Sequence, residues 1–184
     1  MTEPLHILKH EHRVIERALR ALEGVCSRLE WGPNVPKDAL SGIVNFLSTF
    51  ANRYHHDKEE TYLFPALERH GITRDGGPLG AMEKEHEIER RLTSEMVRAI
   101  ETYRDADPTS RTRFVAAART YMRHLLSHIA NEDGILFRIA DEVLDETEKA
   151  ALLESFKEAE FGLAIHSPRE YERIADELED RWAL

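Results

Sequence analysis

The chain has 184 residues, 41% apolar and 33% charged, which suits one helix-rich globular domain with a hydrophobic core of its own. A formal charge of -10 at pH 7 and the lack of a basic cluster argue against a nucleic-acid partner, and no apolar run approaches the roughly 18 residues a membrane span needs. Cys26 is the single cysteine, which excludes an intrachain disulfide and a cysteine-rich zinc site; the opening Met1-Thr2-Glu3-Pro4 lacks a secretion signal's basic and apolar regions, so the cytoplasm is the expected compartment.

Apolar residues recur at helical spacing almost throughout, and no alternating strand pattern stands out. A first helix is expected over 4–29, ended by Trp31-Gly32-Pro33-Asn34-Val35-Pro36. A second spans 36–70, with Gly71 as its C-terminal cap. Asp75-Gly76-Gly77-Pro78 leads into a third over 78–104. Asp107 as N-cap and Pro108 at the first helical position start a fourth, which runs to 144. A shorter helix covers 146–161, and the capping box Ser167-Pro168-Arg169-Glu170 opens a last one. Four long helices with short connections predict an all-α fold, an antiparallel up-down four-helix bundle over residues 1–145. Residues 146–184 form a C-terminal helical extension packed on it.

Ten histidines are many for this length, and most stand beside acidic residues. His55-His56-Asp57-Lys58-Glu59-Glu60 precedes Leu63-Phe64-Pro65, and His128-Ile129-Ala130-Asn131-Glu132-Asp133 precedes Leu136-Phe137. Upstream of each lies a Glu-His pair, Glu11-His12 and Glu85-His86. The order His, His-x3-Glu, His, His-x3-Glu offers four imidazoles and two carboxylates, a ligand set for two metal ions.

Helical phase aims these groups inward. Leu8, His12, Ile15, Leu19 and Leu22 form one stripe of the first helix. In the fourth helix, Phe114, Ala118, Tyr121, Leu125, His128, Glu132, Ile135 and Ile139 keep the same spacing. Phe46, Phe50, His56, Glu60, Leu63 and Leu67 share a face of the second, whereas His55 and Glu59 fall with Ser48, Asn52 and Tyr62 on a more polar one. His56 and Glu60 are therefore the preferred pair, with His55 and Glu59 assigned a solvated or supporting role. Between Glu132 and Asp133 the phase does not decide. In the third helix Leu79, Met82 and His86 align, and Glu89 follows at the next inward position, either as a further ligand or proton relay or as a glutamate snorkelling to solvent. A carboxylate in a bundle core needs a compensating charge. Imidazole and carboxylate without thiolate suit iron, manganese or zinc.

Together, Glu11-His12, the run from His55 to Pro65, Gly77-Pro78 leading to Glu85-His86, and the run from His128 to Phe137 resemble the hemerythrin-like, HHE cation-binding domain family over roughly residues 5–145. The resemblance implies a bundle carrying a non-heme di-iron centre bridged by an oxo or hydroxo group and by carboxylates. It implies His12, His56, His86 and His128 as histidine ligands and Glu60 and Glu132 as bridging carboxylates. The chain departs from the oxygen carriers of that family. Their third helix holds a second histidine, where this one has Met82 and Arg90 beside His86. His124, one turn before His128, is a candidate replacement. Their second bridging carboxylate falls five residues after the histidine, which would select Asp133. The pattern is closer to the repair and sensor branches.

Two classes of function follow. One is a binding module for oxygen or nitric oxide, or a protein that stores and delivers iron. The other is an enzyme consuming hydrogen peroxide or nitric oxide, in stress response or iron handling. A structural divalent-metal site is the third reading. The expected partners are a small gaseous or peroxide ligand, neither nucleic acid nor membrane, with the chain a monomer or homodimer.

Overall fold

The computed structural model describes residues 4–163 and 166–184, with 160–163 described by backbone alone; residues 1–3, assigned above to the first domain, lie outside the described residues. It is all-helical, with no strand among the described residues. Helix α1 is Pro4–Trp31, α2 runs over 37–69, α3 is Pro78–Glu101, α4 runs over 108–143, α5 is Glu146–Leu163 and α6 is Pro168–Trp182.

Local chemistry sets most of these limits. Asp107 caps α4 by accepting from the backbone N–H groups of Thr109 and Ser110, and Pro108 lacks only a donor that would find no helical partner there. Ser167 and Glu170 form the reciprocal capping box of α6. Gly71 follows α2 at φ +81°, the left-handed conformation that glycine enters without strain. Helix α3 stops at Glu101, short of the expected 104, because Tyr103 turns inward and donates its hydroxyl to the Val35 carbonyl at 2.8 Å.

Helix α1 packs on α2, α4 and α6; α3 packs on α2 and α4; α5 lies against α1 and the lower part of α2. Two apolar clusters result. The larger joins Ile15 to Leu29 of α1, Leu40 to Tyr54 of α2, Leu92 to Ile100 of α3, Phe114 to Ile129 of α4, and Tyr171, Ala175 and Trp182 of α6. The smaller joins Leu5 and Leu8, Leu63 to Leu67, Leu79 and Met82, Leu136 to Ala140, and Leu152 and Phe156 of α5. Between them every one of the first four helices contributes buried polar residues: His12, then His55, His56, Lys58 and Glu59, then His86 and Glu89, then His128 and Glu132.

At this level the helices are not regular. Phe50–His55, Glu59–Leu63 and Glu132–Leu136 are π-helical, with the N–H groups of His56, Phe64 and Phe137 bonding the carbonyls of Ala51, Glu59 and Glu132, five residues back. Each such turn holds more residues than the 3.6 of an α-helix and so rotates every later side chain about the axis.

Candidate metal centre

The π turns determine which side chains meet. His55 and His56, neighbours in sequence, are both buried, and so are Glu59 and Glu132. Two groups of potential donor atoms form: His56, Glu59, His86 and His128 in one, and His12, His55, Glu59 and Glu132 in the other, each within a span of 4.8 Å. Glu59 belongs to both, with Oε1 3.5 Å from His55 Nε2 and Oε2 3.4 Å from His86 Nε2. Glu132 also reaches both, with Oε2 3.2 Å from His12 Nε2 and 3.3 Å from His128 Nε2.

The outer nitrogens fix how the imidazoles point. Nδ1 of His12 meets Asp133 at 2.8 Å, that of His55 meets Glu11 at 2.8 Å, that of His86 meets Glu60 at 2.6 Å and that of His128 meets Glu85 at 2.8 Å. A carboxylate only accepts, so each Nδ1 carries a proton, and each ring in its neutral form presents an Nε2 lone pair to the centre. Nε2 of His86 and Nε2 of His128 face each other at 3.1 Å. Three of the carboxylates are held in turn by cations: Asp133 by Arg13, Glu11 by Lys58, and Glu60 by Arg90 at 2.9 Å. Arg13 and Arg90 are part exposed, while Lys58 is buried, its ammonium 3.8 Å from the Tyr54 ring centre.

The inner atoms are without hydrogen-bond partners: Nε2 of His12 and His55, both nitrogens of His56, and both oxygens of Glu59, Glu89 and Glu132. Buried polar atoms are ordinarily satisfied, and a concentration of lone pairs and carboxylates facing one another is the arrangement a cation resolves. The residues thus fit a metal pair. Without a bound cation the buried groups redistribute protons among themselves. Burial, then Glu132, pushes the Glu59 carboxyl well above the usual range. Burial, with lesser help from Glu132 and Glu85, pushes Glu89 up to about 7 against the opposing charges of His128 and His86. Burial also pulls His128 down, but Glu132 and Glu85 more than offset it and raise the imidazole to about 9. Burial and then His86 hold His56 well below its ordinary value.

Of the residues expected from sequence, His12, His56, His86, His128 and Glu132 come together in these groups. Glu60 does not. It is part exposed and accepts from His86 Nδ1 and Arg90, so it stands behind His86 rather than facing the centre. Glu59 occupies the position expected of Glu60, and His55 joins His56 inside, because the π turn at Phe50–His55 brings both faces of the uniform helix inward. Asp133 lies behind His12. His124 is in neither group and is part exposed, so the fifth inward imidazole comes from α2 rather than α4. The repeated spacing was a signal for Glu59: His55-x3-Glu59 matches His128-x3-Glu132 as well as His56-x3-Glu60 does.

Fold and site together define a helical protein whose buried histidine-glutamate core is built for metal cations. The chain belongs to the hemerythrin HHE cation-binding domain family, whose profile matches residues 3–140. Among curated proteins it is similar to uncharacterized proteins of Mycobacterium bovis and of two Mycobacterium tuberculosis strains, each 28% identical over 153 residues, covering 83% of this chain. It spans 59% of the length of those relatives. No solved structure matches it significantly. No helix among the described residues is long and apolar enough to cross a membrane.

Proposed function

We propose that the chain holds two iron ions and that the pair binds or reacts with a small ligand: dioxygen, nitric oxide or hydrogen peroxide. The observation that carries this reading is the pair of donor groups sharing Glu59, whose inward nitrogens and oxygens have no other partner. The proposed ligands are His56, His86 and His128 for one ion, His12 and His55 for the other, with Glu59 and Glu132 shared. This five-histidine set differs from the four-histidine one implied by the motif, the added imidazole being His55. Imidazole and carboxylate donors suit iron, with zinc and manganese as the competing ions. When bound, such a pair supplies one-electron chemistry and open positions for small ligands.

The protein's own residues orient and insulate. The four carboxylates on Nδ1 fix each ring and raise its donor strength. Phe137 stacks on His12 with ring centres 5.5 Å apart and Phe64 on His86 at 5.8 Å, excluding water from the inner face. An up-down arrangement of the four long helices is supported by the order of the two apolar clusters. The smaller precedes the larger along α1 and α3 and follows it along α2 and α4. The functional division at 145 belongs to the same proposal: residues 1–145 hold the metals and 146–184 cover one flank.

Metal analysis and an absorption spectrum before and after anaerobic reduction test the reading. Two irons per chain, with near-ultraviolet absorption that bleaches on reduction, are expected. A colourless protein holding zinc would instead establish a structural site.

A further inference from the structure

Glu89 stands one turn beyond His86 on α3 and is fully buried, with both oxygens unpartnered. Its Oε2 lies 3.3 Å from His56 Nε2, yet the two are not aligned as a hydrogen bond. His56 is in turn the one imidazole of the centre whose Nδ1 meets no carboxylate among the described residues. Metal–donor bonds of about 2.1 Å put neighbouring donors about 3.0–3.4 Å apart in octahedral or tetrahedral geometry. The separations already described run from 3.1 Å for His86 and His128, through 3.2 Å for His12 and Glu132, to 3.5 Å for His55 and Glu59. The Glu89–His56 distance falls among them.

A brace holds the two residues level. Asn52, one turn before His56, donates its amide to Thr93 Oγ1 at 3.0 Å, and Thr93, one turn after Glu89, donates to the Glu89 carbonyl at 2.9 Å. Both members of the brace are buried and tie α2 to α3 at this height.

We infer that Glu89 is a ligand of the ion held by His56, His86 and His128, a terminal carboxylate additional to the shared Glu59 and Glu132. The inference rests on the two-metal reading and deepens it, because it makes the two positions unequal. The three-histidine position would then have six protein donors, counting Glu59, Glu132 and Glu89. The position at His12 and His55 would have four protein donors and so would be the one left open to an external ligand.

Anaerobic titration with ferrous iron, followed by metal analysis, tests this on the full chain and on Glu89→Gln, His12→Ala and the double variant. The wild type should take up two ions. Glu89→Gln should keep one at unchanged affinity and bind the second about tenfold or more weakly. The double variant should retain no tight ion. The metal-free Glu89→Gln protein should melt no lower than the metal-free wild type, which separates a lost ligand from a damaged fold. Two ions at wild-type affinity in Glu89→Gln, or equal loss of stability with and without iron, would overturn the assignment. Fewer than two ions in the wild type would overturn the two-metal reading and the assignment with it.

Discussion

Glu59→Gln tests the register of the centre most directly, because uniform helical phase favours Glu60 and the structure turns Glu59 inward. The substitution keeps size and removes one charge from a carboxylate that faces both donor groups. Loss of a supporting partner at a metal site costs about 10- to 100-fold in affinity, and loss of a shared ligand belongs at the upper limit. With free iron at about 100 times the wild-type Kd, binding stabilises the fold by about 2.7 kcal/mol. A hundredfold weaker Kd leaves about 0.4 kcal/mol, a loss of roughly 2.3 kcal/mol, or about 5–9 °C in the iron-bound melting midpoint for a chain of this size. Glu60→Gln removes only the charge of the acceptor behind His86 and Arg90, so a tenfold effect and a loss of about 1.3 kcal/mol, roughly 3–5 °C, are expected. Without metal the sign differs. Glu59 is buried against Glu132 with no partner, so its neutral replacement should leave the metal-free midpoint unchanged or higher. Differential scanning calorimetry of both variants, with and without iron, reads these quantities. A larger loss for Glu60→Gln than for Glu59→Gln would refute the assigned register.

Three further outcomes follow from features around the centre. Lys58→Met leaves Glu11 buried without its cation and should destabilise by about 3 kcal/mol in urea titration, with most of it recovered in Lys58→Met/Glu11→Gln; a loss under about 1 kcal/mol would contradict the buried pair. Gly24→Ala gains about 1 kcal/mol in helix propensity but drives a Cβ to 1.8 Å from the Trp182 carbonyl oxygen; α6 should lift at its end, with a net loss of about 1–3 kcal/mol and a red-shifted Trp182 emission, whereas Gly42→Ala meets nothing within 4 Å and should stabilise. Burial, reinforced by Glu23, pushes the Cys26 thiol up to about 12, so a thiol reagent at pH 8 should label the native chain only as fast as it unfolds; rapid labelling would disprove the burial.

The fold was legible wherever the determinants were local. The Asp107 cap, the Ser167–Glu170 box and Gly71 each act within one turn, and their chemistry is readable from neighbouring residues. So is the α1 stripe, where Leu8, His12, Ile15, Leu19 and Leu22 are all buried on an undistorted helix. The α4 stripe holds from Phe114 to Glu132 and then fails. Ile135 is 58% exposed, while Leu136 and Ala140, each one position later, are buried. The π turn at Glu132–Leu136 accounts for the one-residue slip, and in α2 the turn at Phe50–His55 sets the facing of His55 and Glu59. Uniform periodicity cannot register these turns, because the contacts that hold them come from other helices.

That slip locates the irregular backbone where the chemistry requires it. A regular α2 would present either His55 and Glu59 or His56 and Glu60 to the interior, never both imidazoles at one height. Widened turns bring both histidines inward at the expense of regular hydrogen bonding, a common use of π segments at functional sites. The cost extends to the side chains, since each unsatisfied buried group takes about 1–3 kcal/mol from a fold stable by about 5–15 kcal/mol. His12, His55, His56, Glu59, Glu89 and Glu132 all carry such groups in one layer. The two flanking apolar clusters hold that layer together, and bound cations relieve it. Metal uptake and fold stability are therefore coupled in this chain, so a substitution at a true ligand should reduce the stabilisation that metal confers more than it reduces the stability of the metal-free protein.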